Sequence, residues 1–345
     1  MPAPLGIALA LIFAGLAFAA RRIPWLQGLG FTFMVIAFGV AAFTFPAWFI
    51  SWGSFELKPA IVPLVQIIIL GMGMTLTTED FRRVLTMPKG VVVCCVLHYT
   101  VMPLGGFFFS RLFGLEGAVA TGMILIGSVP SGTSSNVIAL LARVNVPLSV
   151  SVTAVSTLIS PFVTPFVMRF LAGTYVPIEV GPMMFSIFKL IIVPLVLGLL
   201  IQRYIPSLAV RLTRVLPFVA MLAICLIIAV TIALSHDQLV KVGLALFAAA
   251  ACHNATGYIL GYWGGRLAGL NETDARTTAL EVGIQNGGMA TGLAFGILNS
   301  PLAALAAAVF GPWSAITSSA LASWWRRRGT GDVGVDPEKS NIPAH

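Results

Sequence analysis

Polar side chains interrupt this chain at intervals that leave long apolar runs near 30–50, 60–77, 88–110, 117–142, 146–171, 184–202, 215–234, 240–268, 274–298 and 302–325. A helix rises about 1.5 Å per residue, so roughly 20 apolar residues cross about 30 Å of hydrocarbon. The pattern predicts an all-α polytopic membrane protein with ten core transmembrane helices. A further run at 5–20 precedes them. Crossing would make it an eleventh helix with the N-terminus outside, whereas lying flat in the interface would leave ten. Crossing is the reading adopted here.

Two runs carry residues that an ordinary membrane helix avoids. One contains "GSVPSGTSSN" (127–136), the other "EVGIQNGG" (281–288). Proline removes a helical donor and clashes with the preceding turn, while glycine loosens the helix. Unwound backbone at membrane depth is tolerated only inside protein or beside a cavity. The breaks fall in the fourth and ninth spans, the same place in each group of five. Five is odd, so the second group enters the membrane inverted. Paired breaks in corresponding halves are the mark of an inverted-repeat secondary transporter, with the site where they meet.

Composition agrees with a membrane class. Hydrophobic residues make up 58% and charged residues 9% of the chain, whereas a soluble domain carries about a quarter charged residues. The first run has no basic residues before it, and Arg21 and Arg22 follow it, which favours a retained segment over a cleaved signal peptide. Cys94, Cys95, Cys225 and Cys252 lie in apolar runs and are read as small buried residues.

The net charge of +8 is a matter of topology. Of the 20 Lys and Arg, only Lys58, Arg111, Arg169, Lys189 and Lys241 fall on one side of the ten-span arrangement. The other side holds the rest, which makes it cytoplasmic. No nucleic-acid partner is implied. The expected location is the cell's inner (plasma) membrane, with the C-terminus in the cytoplasm and the polar, Gly- and charge-rich tail 329–345 disordered.

Of the 12 acidic residues, only Glu281 lies well inside a span. A carboxylate at the bilayer centre costs about 2.5–3.5 kcal/mol on insertion scales and faces a cavity or a partner. A hard cation would neutralise it and takes oxygen ligands. Gln285 lies four residues on, sharing a face with Glu281 if that turn is helical. Ser135 and Asn136 at the first break, Ser149 and Thr153 on the next span, and the freed carbonyls of Val282 and Ile284 supply further oxygens. Sodium is the expected ion. The alternative is a protonated glutamate bridging helices.

The chain resembles the bile acid:sodium symporter family from about residue 55 to 325. The resemblance is carried by "GMGMTLTTEDF" (71–81), "GTSSNVIALLARVNVPLSVSVTAVSTLISPFVTP" (132–165), "HNATGY" (253–258) and "EVGIQNGGMATGLA" (281–294). It implies a panel unit (28–77 and 183–234) and a core unit (84–171 and 237–325), with broken helices 117–142 and 274–298 crossing in the core and segment 1–22 additional. It also implies two co-transported sodium ions. The first would be held by Ser135, Asn136, Ser149, Thr153 and Glu281. The second would be held by Glu281, Val282, Ile284, Gln285 and a glutamine, where this chain has His98. Neutral imidazole has a single acceptor nitrogen, so the second set is altered here. His253 and Asn254 match the family motif and are read as bridges between helices.

The substrate implied is a small organic anion, a pantoate-like monocarboxylate or a bile acid, touched by Thr133 and Asn286 between the units. The lipid bilayer is the other partner, and no obligate protein partner is evident. Three rivals remain at this point. A proton-coupled carrier would use His98 and Glu281, a passive channel would not concentrate substrate, and an intramembrane enzyme would pair the serines at 128–135 with His253.

Overall fold

The computed structural model describes residues 2–20, 22 and 29–329. The expected tail therefore lies outside the described residues except for its first residue. Helices follow one another as α1 (Ala3–Ala19), α2 (Gly30–Thr44) and α3 (Ala47–Ile50), then the two-residue strands β1 (Ser51–Trp52) and β2 (Phe55–Glu56). Next come α4 (Ile61–Thr75), α5 (Thr78–Thr86), α6 (Pro88–Leu112), α7 (Gly117–Ser128), α8 (Ser134–Ala142) and α9 (Val146–Ala172). The second half holds α10 (Val180–Ile187), α11 (Val193–Tyr204), α12 (Pro206–Leu234), α13 (His236–Leu267), α14 (Glu272–Gly283), α15 (Gly287–Gly296) and α16 (Pro301–Arg327). Among the described residues, 7 helical segments are long and apolar enough to cross a membrane, and Ala3–Ala19, Gly30–Thr44 and Gly117–Ser128 are shorter apolar helices. This is a multi-pass, all-α membrane protein.

Local chemistry explains most boundaries. Proline stands in the first turn of α6, α9, α12 and α16, where its missing N–H has no helical acceptor in any case. Asn145, Asn271, Asn286 and Ser300 cap α9, α14, α15 and α16 with side-chain oxygens.

Four features differ from expectation. The run at 30–50 is interrupted after Thr44, with Pro46 before α3. A small antiparallel hairpin, Ser51 opposite Glu56, follows it. Between spans lies the amphipathic α5, set by a capping box in which Thr77 and Asp80 bond reciprocally. And α10 and α11 run together through a π turn, Phe188–Ile192. Cys94, Cys95 and Cys225 are buried as expected, whereas Cys252 is exposed on α13.

Packing divides the helices into neighbourhoods. α4 packs on α11 and α12, α12 also on α2, and α1 along α2. α6 packs on α7, α9, α13 and α14, while α16 covers α7, α8, α13 and α15 and also meets α12, and α9 meets α10. α4 and α11 meet so closely that a Cβ on Gly73 would sit 2.3 Å from the Leu195 carbonyl oxygen. Small residues of this kind let membrane helices approach backbone to backbone.

Candidate functional site

The two polar breaks are real interruptions, and they meet. Helix α7 stops at Ser128 and α8 begins at Ser134; α14 stops at Gly283 and α15 begins at Gly287. Ser131 and Gln285 form an isolated antiparallel bridge. Gly132 N–H donates to Ile284 O at 3.0 Å, and Asn286 N–H donates to Pro130 O at 3.1 Å. Each break thus supplies the hydrogen bonds that the other has lost, which makes unwound backbone tolerable at this depth. The approach requires glycine at 132, since a Cβ there would lie 2.6 Å from Gln285 O.

Beside this crossing, one carboxylate gathers four polar side chains. Glu281 is completely buried in the last turn of α14. Ser149 Oγ donates to its Oε1, and Thr153 Oγ1 lies 3.2 Å from its Oε2. The same hydroxyls face Asn136 Oδ1 at 2.8 and 3.3 Å. Ser135 Oγ is 3.4 Å from Thr153 Oγ1. Ser149 and Thr153 are one turn apart on α9 and so present both hydroxyls to the same point. The hydroxyls of Ser135, Ser149 and Thr153 thus stand with the Glu281 carboxylate and Asn136 Oδ1 around one point. Among the described residues no Lys or Arg pairs with Glu281. Such an oxygen-rich cage is chemistry suited to a hard cation.

The remaining candidates lie nearby but are arranged differently. Gln285 does not share a helical face with Glu281, because Ile284 is extended (φ −99°, ψ 118°) and the helix has already ended. Its amide folds back instead, Nε2 donating to Val282 O at 2.7 Å, with Oε1 buried and unpartnered. Ile284 O accepts from Gly132 N–H. His98, fully buried on α6, faces Val129 O through Nε2 at 2.8 Å and Glu281 O through Nδ1 at 3.0 Å. Thr133 and Asn286 precede α8 and α15 and are half-buried where their neighbours Gly132 and Gln285 are buried.

Two further contacts tie the crossing to its surroundings. Asn254 Nδ2 donates to Gly283 O at 2.9 Å, while its Oδ1 accepts from Thr317 Oγ1 at 2.7 Å. His253 Nε2 lies 2.7 Å from Met102 O, joining α13 to α6. Ser131, whose Oγ is 3.4 Å from Ile284 O, lies in the first polar break, whereas Thr317 on α16 was not picked out by sequence. Its hydroxyl has no pattern in the chain that distinguishes it from a packing residue.

A helical membrane protein with two interrupted helices crossing beside a buried carboxylate has the build of a carrier. The model of the sodium bile acid symporter family matches residues 62–242. Over 308 residues the chain is 33% identical to an uncharacterised sodium-dependent transporter, YocS, of Bacillus subtilis (strain 168), covering 89% of this chain and 94% of that one. It is 34% identical over 305 residues to a probable chloroplastic sodium/metabolite cotransporter, BASS1, of Oryza sativa subsp. japonica, covering 86% and 75% of the two chains. Its likeness to the Arabidopsis thaliana BASS1 is also 34%, over 263 residues, covering 76% of this chain and 66% of that one. The chain belongs to the sodium bile acid symporter family. It is a transporter and not an enzyme. His253 Nε2 lies against the Met102 carbonyl, and Ser128 Oγ donates to Ile124 O at 2.7 Å.

Proposed function

We propose that this protein is a sodium-coupled symporter of a small organic anion, and that Glu281, Ser135, Asn136, Ser149 and Thr153 hold the sodium ion. The observation that carries the reading is the cage itself, in which side-chain oxygens surround the buried Glu281 carboxylate and, among the described residues, no basic side chain pairs with it. A monovalent cation supplies the missing charge without the geometry a transition metal demands.

The anion belongs beside the ion. Helices α8 and α15 both begin immediately after the crossing, so their amide N–H groups and positive dipole ends are turned towards it. Thr133 and Asn286, half-buried at those two starts, are the residues we assign to the substrate. With no membrane-embedded arginine assigned there, the pocket suits a single carboxylate held by dipoles, amides and sodium. A pantoate-like monocarboxylate is the first candidate and a bile acid the second. The relatives called sodium/metabolite cotransporters have names compatible with either.

Ten core helices in two inverted five-helix repeats account for paired breaks at matching places. In this reading α2, α4, α10, α11 and α12 form a panel, and α6 to α9 with α13 to α16 form the core, α1 being additional. Rocking of core against panel would expose the site to each side in turn. Sodium acts by favouring the conformation in which the breaks are ordered for substrate, so each ligand raises the affinity of the other by the same factor. The basic side faces the cytoplasm of an inner-membrane protein, with the C-terminus on that side.

The test is uptake of labelled pantoate, and separately taurocholate, into proteoliposomes under an inward sodium gradient or a matched potassium gradient. Sodium-dependent accumulation that is lost in Glu281→Ala is the expected result. Equal accumulation in potassium would overturn sodium coupling.

A further inference from the structure

The cage draws on two helices far apart in the chain: α9 brings Ser149 and Thr153, and α14 brings Glu281. How far apart those helices lie decides whether hydroxyls and carboxylate can close on one ion. One turn towards the N-terminal ends of both, a second polar contact joins the same pair. Asn145 N–H donates to Thr277 Oγ1 at 3.0 Å, and Asn145 Nδ2 donates to Asp274 Oδ1 at 2.7 Å. Asn145, Ser149 and Thr153 follow one another at four-residue spacing, as do Thr277 and Glu281. Both contacts therefore lie between the same two helix faces, about 6 Å apart along the helices.

Other bonds fix each partner. Asn145 Oδ1 accepts from Leu148 N–H at 3.0 Å and caps α9, which settles the amide with its nitrogen towards the carboxylate. Thr277 Oγ1 donates to Thr273 O at 2.9 Å and so meets Asn145 N–H as an acceptor. Asp274 Oδ2 accepts from Asn271 Nδ2 at 3.2 Å, and Asp274 N–H donates to Asn271 Oδ1 at 2.7 Å. One amide thus does two things: its oxygen starts α9 and its nitrogen ties that start to α14.

We infer that Asn145 is a positioning residue for the ion site: through Asp274 and Thr277 it sets the separation of α9 from α14, and so brings Ser149 and Thr153 to Glu281. The inference rests on the reading of Glu281 as a sodium ligand. Asn145 acts through the helices it joins rather than by touching the ion. Ligands work only when held within about 0.5 Å of their productive geometry, so a small parting of the two helices weakens ion binding without unfolding the protein.

Binding of radiolabelled sodium to the purified full-length chain tests this, alongside melting curves taken in potassium. Asn145→Asp keeps an oxygen to cap α9 but turns a second acceptor towards Asp274. It should weaken sodium affinity by about 10–100-fold, the loss typical when a partner that orients a ligand is removed. Asn145→Asp combined with Asp274→Asn restores one donor and one acceptor with their roles exchanged, and should recover most of that loss. Asn145→Ser keeps a capping oxygen without the amide nitrogen, and should fall between wild type and Asn145→Asp. A residue that only holds up the fold would lower the melting temperature in potassium and leave the sodium affinity of the folded protein unchanged. That result, or a double variant that binds no better than Asn145→Asp, would overturn the proposal. Should Asn145→Asp fail to elute as a single species, Asn145→Ser decides, and it must bind sodium more weakly than wild type. Sodium binding that survives Glu281→Gln would instead overturn the reading of Glu281, whatever the Asn145 variants show.

Discussion

Gly132 and Gln285 lie so close that a methyl group on the first would sit 2.6 Å from the carbonyl oxygen of the second. The contact is backbone against backbone, so no rotamer change relieves it. Replacing Gly132 by Ala should therefore push the two breaks apart and disturb both hydrogen bonds that join them. Overpacking of this kind costs about 1–3 kcal/mol. The expected outcome is a lower melting temperature together with loss of uptake, read on the same preparation. An alanine variant with wild-type melting and transport would show that the crossing is looser than described.

Sodium should stabilise the folded protein, because a ligand that binds only the native state raises its stability by mass action. At sodium about 100-fold above its dissociation constant the gain is about 2.7 kcal/mol. Melting curves in sodium should lie above those in potassium at equal ionic strength, and Glu281→Gln should erase the difference. Glutamine keeps an oxygen to accept from Ser149 or Thr153, so the variant should still fold. A sodium shift of the same size in Glu281→Gln would place the ion elsewhere.

The membrane class and the two breaks were legible in the chain because they are signals of composition. Pro130, Gly132 and the glycines at 283, 287 and 288 stand out in apolar surroundings, and a lone glutamate inside a span is rare. The four-residue spacing of Ser149 and Thr153 likewise placed both on one face, as found. What failed was the same spacing at Glu281 and Gln285, since a helical period means nothing once the helix has ended at Gly283. The contacts of His98 were hidden for another reason. Its partners are two backbone carbonyls 31 and 183 residues away, and backbone carries no identity that a sequence can display. The π turn at Phe188–Ile192 left no mark either, as its residues would serve equally in a regular helix.

Asn254 holds the second break from outside. It donates to Gly283 O and accepts from Thr317, so each half of its amide has one partner of the right kind. Asn254→Ala leaves the buried Gly283 carbonyl without a donor, which costs about 1–3 kcal/mol. Asn254→Asp should be worse than alanine, because an acceptor oxygen would then face the Gly283 acceptor oxygen. Thr317→Val should be milder, as it removes only the second contact. The order of the three melting temperatures checks the argument, and an aspartate as stable as wild type would refute it.

At the end of the molecule where α4 begins and α15 ends, Lys58 Nζ donates to Asn299 Oδ1 at 2.8 Å. Asn299 holds a left-handed conformation, φ 46°, which asparagine accepts more readily than most residues. Below this contact α4 closes on α15: a Cβ on Gly292 would lie 3.1 Å from Val65 and one on Gly296 3.3 Å from Val62. Helix α8, on the other branch of the crossing, instead leaves Val137 and Leu140 each 59% exposed. If core and panel rock against each other as proposed, the seam between α4 and α15 must open once in every cycle. Cysteines at 58 and 299, in a background with Cys94, Cys95, Cys225 and Cys252 replaced, should then be joined by a short bis-maleimide, and the joined protein should cease uptake. Sodium binding to the joined protein should persist, since the Glu281 cage lies wholly within one unit. Undiminished uptake after complete cross-linking would show that this seam stays shut throughout transport, and that access alternates by some other movement.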